Sequence, residues 1–282
     1  MGYIFGLIGY PAKHSRSPWI HHHFLEQQHE SGVYRIFETS PADLQSTLAS
    51  MKQLQIDGFN VTVPYKEDIL QYLDKLDPYA KKVGAVNTVL YQDGEWIGYN
   101  TDGKGFVRSL LEAYPNVDLS SSKALCIGAG GAARGIYTAL LEEDMQRVDI
   151  ANRTPERANT IVELNDQEIP SRAISLGEAE KSLEQYDIIV QTTSVGMPPN
   201  DHQQIISLTN VKKGAIVADI VYKPFETIFL QDAKQKGAHI LHGHGMLIYQ
   251  AALAYEKWTN TTIQADELLG KFEQQLKGDD AC

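Results

Sequence analysis

The first hundred residues alternate between apolar runs and segments whose apolar positions have helical spacing. Tyr3–Gly9 is a short apolar run and Val33–Glu38 alternates between apolar and polar positions, so both are predicted strands. The periodicity predicts helices over Trp19–Gln28 and Leu44–Gln53, and a Ser-Pro pair that suits a helix start precedes the second. Alternation of this kind is typical of an α/β layer.

The next segment adds a strand, a helix and a hairpin. Phe59–Val63 is predicted to be a strand that stops at a proline, and Lys66–Leu73 is predicted to be helical. Thr88–Gln92 and Glu95–Tyr99 flank Asp93-Gly94, which strongly indicates a hairpin turn. The first half is therefore predicted to be an α/β domain with a mostly parallel sheet.

The second half repeats short buried strands that helices or loops separate. The predicted strands are Ala124–Ile127, Arg147–Ala151, Ile188–Gln191, Ala215–Asp219 and His239–Leu241. The predicted helices are Phe106–Tyr114, Gly135–Glu142, Arg157–Leu164, Met246–Trp258 and Asp266–Lys277. This alternation predicts a doubly wound Rossmann sheet.

Composition excludes some function classes. The 282 residues are 43% hydrophobic and 22% charged, which is typical of a soluble globular protein with one large domain or two ordinary ones. The net charge of -11 argues against a nucleic acid as the main partner. An anionic small molecule stays open, because a few cations and backbone N–H groups can form a positive pocket on an acidic protein.

The cysteines and the start of the chain favour a cytoplasmic location. Cys126 and Cys282 form no disulfide framework and no metal-binding spacing, so no metal is expected. Met1–Tyr10 lacks a basic leader and a cleavage site, and we expect a first strand there rather than a signal peptide. No apolar run reaches the ~18 residues of a membrane span. The internal run His21–His23 is predicted to be a solvated helix face.

A glycine loop follows the first strand of the second half. Gly128, Gly130 and Ala133 match the pattern G-x-G-x-x-A, in which the glycines allow a tight turn and close approach to a pyrophosphate. Ala133 allows close packing of helix on strand, and the helix N-terminus offers backbone N–H donors. Because the loop lies between a strand and a helix, a bound dinucleotide is predicted.

The end of the next strand favours NADP over NAD. Asp149 has the sequence distance of an NAD ribose ligand, but it lies inside its strand rather than at the end. The strand ends in Asn152-Arg153-Thr154, and Arg157 follows one helical turn later. Guanidinium groups with a hydroxyl and an amide suit a 2′-phosphate. The alternative for both arginines is a solvated helix start.

Polar residues cluster in loops after the strands of the first half, where ligands of open α/β sheets bind. Alternation places Asn60 and Thr62 on one face of their strand, and Lys66 follows directly after its end. Lys66 and Asp102 form a candidate pair for proton transfer to an alkoxide. From spacing alone, a solvated charge is an equally open interpretation of Lys66.

Eight motifs occur in an order that resembles the shikimate dehydrogenase family. They are His14-Ser-Arg-Ser-Pro18, Asn60-Val-Thr-Val-Pro-Tyr-Lys66, Gly84-Ala-Val-Asn-Thr88, Asn100-Thr-Asp-Gly103, Gly128-Ala-Gly-Gly-Ala-Ala-Arg134, Asn152-Arg-Thr154, Asp219-Ile-Val-Tyr-Lys-Pro224 and Gly243-His-Gly-Met-Leu-Ile-Tyr-Gln250. The resemblance spans nearly the whole chain. It implies reversible NADPH-dependent reduction of 3-dehydroshikimate to shikimate.

The resemblance also implies roles for individual residues. Lys66 and Asp102 are the implied catalytic pair. The implied substrate-binding residues are Ser15, Ser17, Asn60, Thr62, Lys66, Asn87, Asp102, Tyr222 and Gln250. The implied NADP-binding residues are Gly128, Ala129, Gly130, Gly131, Ala132, Asn152, Arg153, Thr154, Arg157, Ile220, Gly243 and Met246.

The expected organisation is two domains. Residues 1–104 with 246–282 are predicted to form the substrate-binding catalytic domain, and residues 105–245 the NADP-binding Rossmann domain. A monomer or homodimer is expected, with shikimate or 3-dehydroshikimate as the small-molecule partner and no membrane or nucleic-acid partner. Two alternatives are a quinate/shikimate dehydrogenase with relaxed NAD or NADP use and a non-catalytic nucleotide sensor.

Overall fold

Two six-stranded sheets organise the chain, one in each of two units, in a computed structural model that describes residues 2–280. The first unit contains the chain up to Thr101 together with Gln250–Leu268. The second contains Asp102–Tyr249 and the chain from Leu269 onward. The chain passes from the first unit to the second near the proposed domain boundary at 104/105, and it returns near the one at 245/246. Both domain boundaries stay a prediction.

The first unit is built on a mixed sheet. Its strands are β1 (Tyr3–Gly9), β2 (Gly32–Glu38), β3 (Gly58–Val61), β4 (Lys75–Leu76), β5 (Thr88–Gln92) and β6 (Glu95–Tyr99). They lie in the order β2-β1-β3-β5-β6-β4. Strand β1 is parallel to β2 and β3, and β4 is parallel to β6. The pairs β3/β5 and β5/β6 are antiparallel, which confirms the predicted hairpin.

The second unit has a fully parallel sheet. Its strands are β7 (Lys123–Ile127), β8 (Arg147–Asn152), β9 (Ala173–Ser175), β10 (Ile188–Gln191), β11 (Ile216–Asp219) and β12 (His239–Leu241). The order β12-β11-β10-β7-β8-β9 is that of the Rossmann fold. Successive strands are added toward one edge from β7 to β9 and toward the other edge from β10 to β12, so the switch point lies between β7 and β10. Ligands of such sheets bind at the carboxyl ends of these two strands.

Helices lie between the strands of both units. The first unit has α1 (Ser17–Gln27), α2 (Leu44–Gln53) and α3 (Pro78–Val83). The second has α4 (Asp102–Ala113), α5 (Gly131–Leu141), α6 (Pro155–Val162), α7 (Leu176–Ser182) and α8 (Ile228–Gln235). The last two helices, α9 (Gly243–Thr259) and α10 (Asp266–Asp280), each contribute residues to both units.

The predicted helix over Lys66–Leu73 is wrong. The structure forms only a 3₁₀ turn over Asp68–Tyr72. The carbonyl oxygen of Lys66 accepts a hydrogen bond from the N–H of Val86 at 2.7 Å, so it serves a tertiary contact instead of a helical one. Tertiary pairing of this backbone overrides a weak helical periodicity.

The histidine run is not uniformly solvated. His22 is exposed, but His21 is fully buried in α1 and its ring stacks on Tyr34 with 4.4 Å between centroids. Burial lowers the pKa of His21 to about 3, so the ring is neutral at physiological pH. The prediction of a solvated face is wrong at His21, because an imidazole without charge packs as an aromatic ring.

Two predictions from composition bear on the described residues. Cys126 is fully buried in β7 and burial raises the pKa of its thiol to about 12, whereas Cys282 lies outside the described residues. Among residues 2–280, no helix has both the length and the apolar composition to cross a bilayer.

One close contact of the first unit holds α9 against the sheet. The indole N–H of Trp258 donates to the carbonyl of Val89 at 2.9 Å. A Cβ added to Gly58 in β3 would lie 2.3 Å from the indole ring. Trp258 therefore packs directly on the sheet backbone, and only glycine leaves room for it.

Alanine at Gly58 should destabilise the protein by about 1–3 kcal/mol, because overpacking forces the indole or the strand to shift. The measurement is the free energy of unfolding in urea. Gly177→Ala is the matched control, since a Cβ there meets no atom within 4 Å and alanine favours the helix. Equal stability of Gly58→Ala and the native protein would contradict this packing.

Candidate active site

The first unit contains a cluster of hydrogen-bonded polar side chains, called here the polar cluster, which consists of Tyr34, Asn60, Asn87, Thr88, Thr101 and Gln250. The buried amide of Asn87 lies at its centre. Its Oδ1 accepts from the N–H of Thr101 and from the hydroxyl of Thr88, both at 2.9 Å. Its Nδ2 donates to Thr101 Oγ1 at 2.9 Å and to Gln250 Oε1 at 3.3 Å. Two donors directed at the same oxygen exclude a flipped amide. Asn87 and Gln250 are therefore held together, with the Gln250 oxygen committed as an acceptor.

Asn60 in β3 supports this cluster. Its Nδ2 donates to the Asn87 carbonyl and to Thr88 Oγ1, both at 3.2 Å. Its Oδ1 accepts from the hydroxyl of Tyr34 at 2.8 Å. Both amide protons have protein partners and the residue is only 5% exposed, so the geometry indicates that Asn60 positions Asn87.

Tyr34 and Thr101 were missed as site residues by sequence reasoning. Burial raises the pKa of Tyr34 well above its usual range, so its hydroxyl stays a donor to Asn60. Thr101 Oγ1 also donates to the backbone carbonyl of Gln250 at 2.9 Å. Thr101 lay inside the Asn100–Gly103 motif, whereas nothing in the alternation of β2 distinguished Tyr34.

Ser15, in the loop between β1 and α1, faces Ser17, the first residue of α1. The hydroxyl of Ser15 donates to Ser17 Oγ at 3.2 Å, and the N–H of Ser17 donates to Ser15 Oγ. Glu38 at the end of β2 holds the loop by accepting from the N–H groups of Ala12 and Lys13 at 3.0 and 2.9 Å. The fixed loop and the start of α1 therefore hold two hydroxyl groups next to each other.

Thr62 and Lys66 follow β3. The N–H of Thr62 donates to Ile8 in β1 at 2.9 Å, and the side chains of Thr62 and Lys66 are half-buried. The bond from Val86 to the Lys66 carbonyl places that backbone beside the residue that precedes Asn87. Thr62 is thus held against β1, and the backbone of Lys66 is held against the segment that leads into β5.

The glycine loop of the second unit fits a dinucleotide pyrophosphate. Gly128 has φ +126°, and a Cβ there would lie 2.5 Å from Thr192 Oγ1 after β10, so glycine is required. A Cβ on Gly130 would meet no atom within 4 Å, which leaves space above the loop. Gly130 is also the N-cap of α5 and provides no side-chain cap. The first N–H groups of α5 can therefore serve an anion.

The end of β8 presents the predicted NADP-selective residues. Asn152 Nδ2 donates to the carbonyl of Thr154 at 2.9 Å and shapes the turn into α6. The side chains of Arg153, Thr154 and Arg157 are exposed, as phosphate ligands must be. Asp149 is fully buried, and its carboxylate accepts from the hydroxyl of Tyr186 at 2.6 Å.

Two of the predicted nicotinamide residues, Ile220 and Gly243, meet at the end of β11. A Cβ on Gly243 would lie 2.4 Å from the carbonyl oxygen of Ile220, so the start of α9 lies against this backbone. Met246 is buried in the same unit, and Ile220 and Tyr222 are half-buried. Asp102, the first residue of α4, is 4% exposed.

Asp219, the last residue of β11, is a buried carboxylate beside these residues. Burial raises its pKa to about 6, although hydrogen bonds from Thr227 and Val221 act in the opposite direction. The ordinary carboxyl value is ~3.9. Between about pH 4 and pH 6 the folded chain therefore binds more protons at Asp219 than the unfolded chain, and this group lowers stability as the pH rises.

Asp219→Asn removes the titration while keeping the shape. The free energy of unfolding of the variant relative to the native protein should rise by up to roughly 3 kcal/mol from pH 4 to pH 7. Urea unfolding at a series of pH values measures the difference, in which the other titrating groups cancel. A difference that is the same at every pH would show that the carboxyl has an ordinary pKa.

Three sequence profiles match the chain. They are the shikimate dehydrogenase substrate binding domain over residues 7–89, shikimate / quinate 5-dehydrogenase over residues 110–222, and the shikimate 5′-dehydrogenase C-terminal domain over residues 243–267.

Relatives of known identity match nearly end to end. A shikimate dehydrogenase (NADP⁺) of Oceanobacillus iheyensis is 48% identical over 274 residues, which covers 96% of this chain and 98% of the relative. The shikimate 5-dehydrogenase of Thermus thermophilus, solved in complex with NADP(H) and shikimate, superposes with a TM-score of 0.87 at 32% identity and covers 97% and 99% of the two chains. A quinate dehydrogenase of Corynebacterium glutamicum, solved with NAD, gives 0.87 at 30% identity, covering 96% and 98%. The chain therefore belongs to the shikimate dehydrogenase family.

Proposed function

We propose that this chain is an NADP-dependent shikimate dehydrogenase that interconverts 3-dehydroshikimate and shikimate. The observation that carries the proposal is the half-buried amide of Gln250, which the bond from Asn87 orients beside the polar residues of the first unit. The identity of 48% to a shikimate dehydrogenase (NADP⁺) supports the same activity. Formation of NADPH from shikimate and NADP by the purified protein is the direct test.

Substrate binding follows from the donors and acceptors in place. Ser15 and Ser17, with Tyr222, bind the carboxylate through hydroxyl donors, and no arginine is needed. The ring hydroxyls are held by Thr62, Asn87, Asp102 and Gln250. Asn60, the remaining predicted substrate residue, also donates to the Asn87 carbonyl and so helps to hold that segment.

Lys66 and Asp102 carry the proton transfer. When bound, NADP(H) supplies the hydride to the C3 carbonyl of 3-dehydroshikimate or accepts it from C3 of shikimate. An ammonium group carries three donor protons, so Lys66 gives one to the developing alkoxide oxygen and takes one back in the oxidative direction. Asp102, the catalytic partner that the family resemblance implies, accepts from a substrate hydroxyl.

NADP binding divides between three places in the second unit. Gly128–Ala132 hold the pyrophosphate with the N–H groups at the start of α5. Asn152, Arg153, Thr154 and Arg157 hold the 2′-phosphate. Ile220, Gly243 and Met246 line the nicotinamide side, where the structure packs Gly243 against Ile220.

The alternatives are not favoured. The structural likeness extends to a quinate dehydrogenase solved with NAD, so the fold alone does not separate the two substrates. Two exposed arginines after β8, where an NAD enzyme needs an acidic residue, favour NADP. A non-catalytic sensor has no use for the Asn87–Gln250 pair. Comparing shikimate with quinate, and NADP with NAD, separates these functions.

The proposal includes a location and an assembly. Two cysteines in 282 residues, one of them buried and inert, suit a reducing cytoplasm. A monomer or a homodimer is expected, which light scattering of the purified protein distinguishes.

Lys66→Ala should lower kcat by roughly a hundredfold or more with little change in the KM of shikimate, because it removes the proton donor. Steady-state NADPH formation measures both constants. Lys75→Ala is the control, since that exposed lysine pairs with Glu95 at the far edge of the same sheet. Turnover near the native rate in Lys66→Ala would refute the role.

Arg153→Ala should weaken NADP binding about 10- to 100-fold and leave NAD binding unchanged, because only NADP carries the 2′-phosphate. Titration calorimetry with both nucleotides measures the two affinities. Arg35→Ala, which alters an exposed arginine of β2, controls for loss of charge. An unchanged ratio of NADP to NAD affinity would remove Arg153 from the site.

A further inference from the structure

The carboxylate of Asp219 joins three segments at the carboxyl edge of the second unit's sheet. Its Oδ1 accepts from the amide of Gln191 at 3.1 Å and from the N–H of Val221 at 2.9 Å. Its Oδ2 accepts from the hydroxyl of Thr227 at 2.7 Å. These donors come from the end of β10, the turn after β11 and the N-cap of α8.

Two of the donors, Gln191 and Thr227, also fix the backbone of their own segments. The Gln191 amide donates to the carbonyl of Val195 at 2.9 Å, and its oxygen accepts from the N–H of Thr193. Thr227 accepts from the N–H of Leu230 and so caps α8. The loop after β10, the turn after β11 and the start of α8 are therefore held at one buried point.

The three partners are uncharged, so a carboxylate buried among them lowers the free energy of unfolding. A buried carboxylate without a cation is costly, as its raised pKa shows. Only a carboxylate, however, offers two oxygens to three converging donors. Asparagine in the same place keeps one oxygen for Gln191 and Val221 and turns an N–H toward the donor Thr227.

The residues next to Asp219 are those assigned to ligands. Ile220 follows it directly, its N–H donates to the Gln191 carbonyl at 3.1 Å, and Gly243 packs on its carbonyl. Tyr222 directly follows Val221, whose N–H donates to Asp219. Asp219 thus lies one residue before Ile220, which is assigned to the nicotinamide, and three residues before Tyr222, which is assigned to the substrate carboxylate.

We propose that Asp219 is a positioning residue that sets Ile220 and Tyr222 through its contacts with Gln191, Val221 and Thr227. The inference rests on the proposed function for the roles of Ile220 and Tyr222. One buried carboxylate then sets the position of a substrate ligand, Tyr222, and of a nicotinamide contact, Ile220. The phosphate ligands after β8 lie outside the three segments that Asp219 joins.

The decisive variant is Asp219→Asn. The KM of shikimate should rise about tenfold and kcat should fall, because a small misplacement of the turn after β11 moves both ligand contacts. The affinity for 2′,5′-ADP, which carries the 2′-phosphate but no nicotinamide, should stay at the native value. The free energy of unfolding of the variant at pH 7 is measured alongside, so that lost folding is distinguished from lost activity.

Thr227 provides a matched pair that leaves the carboxylate in place. Thr227→Val removes the hydroxyl donor and should raise the KM of shikimate, whereas Thr227→Ser keeps the donor and should restore it. Native KM and kcat in Asp219→Asn would overturn the inference, and so would an equal loss of 2′,5′-ADP affinity. Native protein without shikimate oxidation would instead refute the proposed function.

Discussion

The buried amide of Asn87 can satisfy its hydrogen bonds in one orientation, and the first unit's polar cluster follows from that constraint. Its oxygen receives two donors, so its N–H groups must point to Thr101 and Gln250. A buried polar group that is left unpaired costs about 1–3 kcal/mol, which makes any other arrangement unfavourable. The same requirement fixes Asn60, and through it Tyr34, whose ring packs on the neutral imidazole of His21.

The second unit also pairs its buried donors, and it does so with a carboxylate, that of Asp219. Its parallel sheet brings the ends of β7, β10 and β11 to one edge, where backbone approaches a ligand and side chains must satisfy the turns. Gly128 leaves room for Thr192 at one turn, and Asp219 holds the next two. Burial of this carboxylate among uncharged donors raises its pKa and lowers the stability of the fold at neutral pH, a cost that is common where a protein contacts its ligands.

Predictions from local pattern succeeded where one physical signal dominated. The hairpin across Asp93-Gly94 and the strand–glycine–helix unit at Gly128 formed as predicted, because turn chemistry and hydrophobic runs act locally. The helix over Lys66–Leu73 and the solvated His21 were wrong, because the deciding partners, Val86 and Tyr34, lie at least 13 residues away. Their place after the strands made Lys66 and Asp102 a candidate pair but left a solvated charge open for Lys66, and the family resemblance then implied their roles, which stay a prediction.

The sequence by itself determined the α/β class, the dinucleotide loop and the basic strand end that favours NADP, since each depends on neighbours along the chain. Only the tertiary structure decided that Asn60 supports Asn87, that Tyr34 and Thr101 belong to the cluster and that Asp219 joins three segments. Those relations depend on which strands become neighbours in a sheet, and hydrogen bonds between distant residues leave no periodic trace in the sequence.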